Sequence, residues 1–352
     1  MAAALQAITF PASQTLHPAG AHAQWLDDGR LHLHHGPIDL VIGADGTPDA
    51  VRQACSAAID RFATVLEELV SELALLRTSI DKIACRPSGY VAARMWAATM
   101  PHANIYRDTN YVTAMASVAG AVADEILSVM RDAADLDRVY VNNGGDIALY
   151  LRPAAVSAPH YTVGICADPD AVLWSHVNTD ALAGDQAARP VPDAFAGTIK
   201  ITASDHIGGI ATSGWKGRSH SFGVADLVTV LAPTAAAADV AATLIANAVW
   251  PDDNNKTDWP GVQRQPANVL APDSDLGSRL VTVHVNRLPD HVIIKALRRG
   301  AGVAEDMRQS GHISAAYGVV QGQGFVCDTV TQRPEVAQRV GVSGSVFLDE
   351  TA

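Results

Sequence analysis

Residues 138–151 read RVYVNNGGDIALYL, two apolar runs on either side of Asn143-Gly144-Gly145-Asp146. Short apolar runs bounded by turn residues predict two sheet strands, here joined across the paired glycines. Just upstream, Thr113 to Met130 (TAMASVAGAVADEILSVM) carries its small residues on one side, the pattern of a buried helix that lies close against a sheet or another backbone. A third apolar run at 161–166 continues the strand series. A buried helix feeding several strands makes this an α/β chain.

Working outward from that centre, LHLHHGPIDLVIG at 31–43 alternates about Gly36-Pro37 and predicts a hairpin. From Pro48 to about Arg77, apolar residues from Val51 to Leu73 recur at steps of three and four. Thr47 can cap this long amphipathic helix, and Pro48 suits its first turn. Residues 178–197, rich in Ala, Pro and Asp, read as a loop or insertion; strand character resumes at 198–203, 207–212 and 225–231. A helix from Ala235 to about Val249, a polar turn-rich stretch at 251–279, a strand at 280–285, a helix at 290–309 and a strand at 313–320 complete the series. No solenoid repeat and no linker divides the chain. The expected organisation is an N-terminal extension over 1–30, one domain over 31–325 and a C-terminal tail over 326–352.

Of the 352 residues, 48% are hydrophobic and 18% charged, a profile that excludes a disordered chain. Twenty-five Lys and Arg against 37 Asp and Glu give a net charge of −12, which argues against a nucleic-acid partner. The cysteines, Cys55, Cys85, Cys166 and Cys327, form no C-x-x-C pair, so neither a zinc knuckle nor a disulfide framework is expected. The opening residues lack a basic leader and are broken by Pro11 and Pro18. The most apolar stretch, Val228 to Trp250, contains Pro233 and Asp239. No membrane span and a cytoplasmic location are the expectations. Sheet edges and Ala-rich surface make a homodimer the expected assembly.

Three segments can carry chemistry. In Asn143-Gly144-Gly145-Asp146 the glycines permit positive φ and close approach of a ligand, while Asp146 can bind a hydroxyl, a ring N–H or a cation; a plain Asx-type hairpin turn explains the same residues. Gly208 to Ser221 gathers four more glycines, Thr212, Ser213, Lys216, Arg218 and His220, a cradle for phosphate or carboxylate or else a solvated loop. A Ser213 nucleophile activated by Lys216 or His220 is conceivable there. Asp239 and Thr243 stand four apart on one helix face and can supply two oxygens to a hard cation such as Mg2+; a dipole-favoured Asp and a self-bonded Thr are the plainer account. His32 and His34 share a strand face while His35 points away, which leaves a metal pair or an ordinary surface strand open.

In order, these segments resemble the ApbE-like superfamily of flavin transferases. Ser117-Val-Ala119-Gly120-Ala-Val-Ala-Asp124 is similar to that family's Gly-x-x-Lys-Gly-x-x-x-Asp helix, and Asn143-Gly-Gly-Asp146, Ala211-Thr212-Ser213-Gly214 and Asp239-x-x-x-Thr243 follow in the family's sequence. An uncharacterised branch resembles the chain further, in His35-Gly36-Pro37-Ile38-Asp39-Leu40, Thr212-Ser-Gly-Trp-Lys-Gly-Arg218-Ser and Asp273-Ser-Asp-Leu-Gly277, from about residue 30 to about residue 325. The resemblance implies a variant of the T-fold, with helices covering one face of an antiparallel sheet. It also implies Mg2+ held by the carbonyl of Ala119 with Asp239 and Thr243, and FAD or FMN across the strand loops. The family's Lys is absent before Gly120. Its His-x-x-Asp-Pro-x-Thr-Gly hairpin is also lost, with only His220 and Asp226 to echo it, which argues for a substrate other than FAD.

The leading expectation is an enzyme for a flavin or another anionic planar heteroaromatic small molecule, acting by metal-assisted hydrolysis or FMN-type group transfer. Asn143, Gly144, Gly145, Thr212, Ser213, Gly214 and Arg218 would hold the ligand; Asp146, Ser213, Lys216 and His220 would act on it. Two alternatives stand beside it: a metal-independent hydrolase that opens a small heterocyclic amide ring, and a flavin- or metabolite-binding protein without catalysis.

Overall fold

The computed structural model describes residues 14–15, 20–83, 85–103, 111–153, 159–166, 195–252 and 259–328. Fourteen strands are formed among these residues: β1 (Gln14–Thr15), β2 (His22–Trp25), β3 (Leu31–His35), β4 (Ile38–Gly46), β5 (Leu136–Asn143), β6 (Asp146–Leu151), β7 (His160–Cys166), β8 (Phe195–Thr202), β9 (Gly209–Ser213), β10 (Leu227–Ala232), β11 (Val262–Pro266), β12 (Leu280–Val285), β13 (Ala315–Val320) and β14 (Gln323–Asp328). Ten of them make one sheet in the order β1-β2-β3-β4-β5-β6-β9-β10-β13-β14, and every neighbouring pair is antiparallel. The α helices are α1 (Pro48–Ser71), α2 (Leu73–Leu76), α3 (Tyr90–Thr99), α4 (Val118–Ala133), α5 (Ala235–Ala248), α6 (Ala267–Leu270) and α7 (Asp290–Gln309).

Local sequence explains most of these elements. Thr47 accepts the amide of Ala50, Pro48 opens α1, and Ala54, Cys55, Ala58, Phe62, Val65 and Leu69 form its buried stripe. The predicted helix to Arg77 breaks at Glu72, where φ is −109° and the amide turns to the carbonyls of Leu69 and Val70; the Glu72 carboxylate accepts the amides of Ser88 and Gly89 just before α3. Thr113 to Met130 opens with a 3-10 turn at Ala114–Ser117 and then becomes α4.

The helices α1, α4, α5 and α7 lie side by side on one face, over β3–β4, β5–β6, β9–β10 and β13–β14 respectively. Each half of the chain therefore runs strand pair, helix, helix, strand pair, and the halves meet where β6 joins β9 and α4 joins α5. That seam is short: only Ile147↔Ile210 and Ala148↔Gly209 are in register. On the opposite face the separate ribbon β7–β8 packs through Ile201 and Ile199 on Leu149, Leu151, Ile210 and Leu231.

Several boundaries differ from the sequence expectation. The sheet begins within the presumed 1–30 extension, since β2 pairs with β3, and β14 carries it to Asp328, past the presumed tail boundary. Strand β11 and helix α6 interrupt the turn-rich 251–279 stretch. The presumed insertion lies outside the described residues over 178–194, and β8 starts at Phe195. His35 is core, 3% exposed and edge-to-face with Phe62, while His32 on the opposite strand face bonds Asp39 at 3.1 Å.

Candidate functional site

At the seam between the halves, two helix N-termini lie against each other. Helix α4 has no cap of its own, because the Ser117 hydroxyl is turned to the carbonyls of Met95 and Ala114. The carboxylate of Asp239, from α5, substitutes by accepting the amide of Gly120 at 3.0 Å and that of Ala119. In return Asp124, from α4, accepts the first amides of α5, Ala235 at 3.0 Å and Ala236 at 2.9 Å. Gly120 makes the approach possible: a Cβ there would stand 2.3 Å from the carbonyl oxygen of Ala235.

The β5–β6 turn closes over this junction. Asn143 donates from Nδ2 to the Ala119 carbonyl at 3.1 Å, and Asp146 accepts the backbone amide of Thr212. Gly144 and Gly145 take φ of +65° and +114°, and Asn142 Oδ1 accepts the Gly145 amide, so the turn is an Asx turn as well as part of the site. Arg218 lies against it, with Nη1 3.2 Å from where a Gly144 Cβ would be.

A cavity of about 340 Å³ opens on the ribbon side of the same sheet end, walled by Ile147, Val163, Ile199, Ile210 and Leu227. Thr212 and Thr229 face each other there, with hydroxyls 2.9 Å apart. Lys216 stands at its rim but pairs with Asp226 at 3.4 Å. Asp226 also accepts Trp215 Nε1 and the amide of Gln321, so it anchors Trp215 and Lys216 at the start of the cationic loop.

The three segments thus converge on one end of the sheet, but not on one chamber. Strand alternation turns Ile147, Ile210 and Thr212 toward the ribbon, and Ala148, Ala211 and Ser213 toward the helices. The carboxylates belong to the helix side and the apolar cavity to the other, with the Gly144-Gly145 turn between them.

The electrostatics of the helix side are unusual. Burial raises Asp239 well above the ordinary carboxylate range, and the nearby charges of Asp146 and Asp124 raise it further; the amides of Gly120 and Ala119 only partly offset this. Burial lifts Asp146 to about 7 against the opposing Thr212 amide. Asp124 rises to about 6 through burial, countered by its two helix amides and by Arg94.

A family model described as AbpE bacteria matches residues 23–326. The chain belongs to that family. It is also similar to UPF0280 proteins: 34% identical over 140 residues to that of Methanoregula boonei, covering 40% of this chain and 48% of the relative. The identity is 33% over 155 residues to that of Methanothrix thermoacetophila, covering 44% and 53%. The chain spans about half the length of these curated relatives. No helix among the described residues is long and apolar enough to cross a membrane.

For this member of the AbpE bacteria family, the placement of each predicted site residue follows from the geometry above. Ala119, Asn143 and Asp239 interlock, Asp146 lies near enough for its charge to act on Asp239, and Thr243 stands one turn beyond Asp239 on α5. Thr212, Ser213, Gly214, Gly145 and Lys216 border the cavity, and Arg218 joins Gly144 between the two sides. Among the described residues no hydrogen bond joins Ser213 to Lys216 or His220, so the conceived nucleophile pairing is not formed. Residues that sequence reasoning left unassigned are Thr229, Val163, Ile199 and the anchoring role of Asp226. A lone threonine in the apolar run of β10 was the signal for Thr229; nothing local marked the others.

Proposed function

We propose that the chain is an ApbE-like enzyme that binds a compact, anionic, planar heteroaromatic molecule and hydrolyses or transfers a phosphate-linked group. The half-buried pair of Asp146 and Asp239, with Asp239 packed against the N-terminus of α4 and Arg218 near the adjoining turn, carries this reading. A carboxylate pair with raised pKa values and no basic side chain among the causes of its shifts favours a cation or a shared proton. Among the described residues no three His, Cys, Asp or Glu side chains converge as a metal-holding set. The oxygens that fit a hard cation are therefore mixed: the Asp239 carboxylate, the Thr243 hydroxyl and the second lone pair of the Ala119 carbonyl would hold Mg2+. When bound, Mg2+ supplies charge neutralisation at phosphoryl oxygens.

The chain's own residues do the rest. The ligand ring lies between Ile147, Val163, Ile199, Ile210 and Leu227, and the Thr212 and Thr229 hydroxyls meet its edge. Arg218 and the turn at Gly144 and Gly145 receive the anionic substituent where the two sides meet. Asp146, at about 7, is matched to take the proton that an attacking water or hydroxyl releases as it bonds to phosphorus and the bridging P–O bond breaks. A cavity of about 340 Å³ is at the small end for ligand sites, which favours a mononucleotide-sized molecule such as FMN over an extended dinucleotide.

Mass spectrometry of ligands released from the purified protein, with metal analysis, tests the proposal. A phosphorylated ring compound together with magnesium is the expected result. Opening of a heterocyclic amide that survives chelation would replace this reading with the metal-independent hydrolase. Tight binding without turnover, unaffected by Asp239→Asn, would replace it with a non-catalytic binding protein.

A further inference from the structure

We propose that Asp124 is the positioning residue of the carboxylate cluster on the helix side: it sets where α5 presents Asp239 and Thr243 to the Ala119 carbonyl. The inference rests on the cation reading above. Four observations carry it. The two Asp124 oxygens each take one amide of the first turn of α5, Ala235 at 3.0 Å and Ala236 at 2.9 Å, while the helix's own cap, Thr234, takes only Ala237. The exchange is reciprocal, because α4 lacks a cap and relies on Asp239. The contact is backbone to backbone at Gly120, where the hypothetical Cβ also lies 2.7 Å from the Ala236 nitrogen, so no side chain cushions a shift between the helices. Finally, Ala119 and Asp239 sit on opposite members of this locked pair, so sliding α5 changes the distance between two of the proposed cation oxygens.

Asp124 itself touches neither cation nor ligand in this scheme. Its effect passes through the helix it holds, as outer-shell partners of metal ligands do. A residue that served the fold alone would lower stability on removal and leave cation affinity as it was.

The test is a Mn2+ titration of the full chain followed by the EPR signal of the free ion, with near-UV circular dichroism to verify folding. Wild type should bind, and Asp239→Asn should not. Asp124→Asn, which can accept fewer amides, should bind roughly tenfold more weakly. Asp124→Glu keeps the charge and both oxygens but reaches one methylene further, and should weaken binding too; it also serves if the Asn variant does not fold. Thr234→Ala, which removes the helix's own cap, should lower the Tm and leave the Mn2+ Kd unchanged. A folded Asp124 variant with the wild-type Kd overturns this inference alone, whereas a wild type that does not bind Mn2+ overturns the cation reading with it. Two unfolded Asp124 variants would make it a residue of the fold and end the proposal as well.

Discussion

Asp146 stands where β6 begins, and its carboxyl reaches the Thr212 amide across the short seam. Its pKa rises from 3.8 to about 7, so the folded chain holds this proton more tightly than the unfolded chain does. Stability from this group is therefore full below about pH 4 and is lost as pH rises to 7. Asp146→Asn keeps an acceptor for Thr212 and removes the charge. In chelator at pH 8 it should stabilise the fold by about 1–2 kcal/mol, a figure discounted for partial exposure, with the gain vanishing toward pH 4 in urea melts. Arg218 is exposed and in contact with the Gly144 turn, so its role should show in binding and not in stability. Arg218→Ala should weaken FMN or inorganic phosphate binding by roughly 10- to 100-fold in calorimetry, the loss of one charge-assisted hydrogen bond, and should barely move the Tm.

Among the elements, α4 and α7 offer opposite outcomes for the same substitution. Alanine is better than glycine inside a helix by about 1 kcal/mol. Gly302 in α7 has nothing within 4 Å of a Cβ, so Gly302→Ala should raise the urea midpoint by about that free energy. At Gly120 the added carbon would meet the Ala235 carbonyl oxygen at 2.3 Å, and backbone cannot step aside as a flexible side chain would. Gly120→Ala should lose about 1–3 kcal/mol despite its better propensity, at unchanged m-value. Elements that carry their own signals were legible: α1 through Thr47 and its apolar stripe, and α7, predicted over 290–309 and observed over the same residues. Helix α3 was not, because Gly89 offers no side-chain cap and the carboxylate that bonds the amides before it comes from Glu72, 17 residues away. Strand β2, with four residues reading HAQW, is too short for its alternation to stand out.

For the whole molecule, acid sensitivity should separate two opposing sets of groups. Burial, helped by His312 at 5.2 Å between ring centroids, lowers His102 from 6.5 to about 4. The unfolded chain binds that proton first, so this group favours the fold above pH 6.5 and loses the advantage as pH falls to 4, whereas the raised carboxylates Asp124 and Asp146 act in the reverse sense. The stability difference between wild type and His102→Gln should accordingly shrink by up to about 3 kcal/mol between pH 7 and pH 4 in denaturant melts. At this scale too lies the division between chain and fold. Hydrophobic spacing, caps and glycine turns are local, and by themselves they determined the α/β class, the main helices, the β5–β6 hairpin and the three segments that meet at one end of the sheet. Tertiary structure alone decided that the two halves share one strand and helix order, that Lys216 is committed to Asp226, and that the site divides between two faces of the sheet. It also decided the exchange of caps between Asp124 and the amides 111 residues further on. Such pairings depend on which buried donors lack a partner once the elements pack, and that need arises only when water has been excluded.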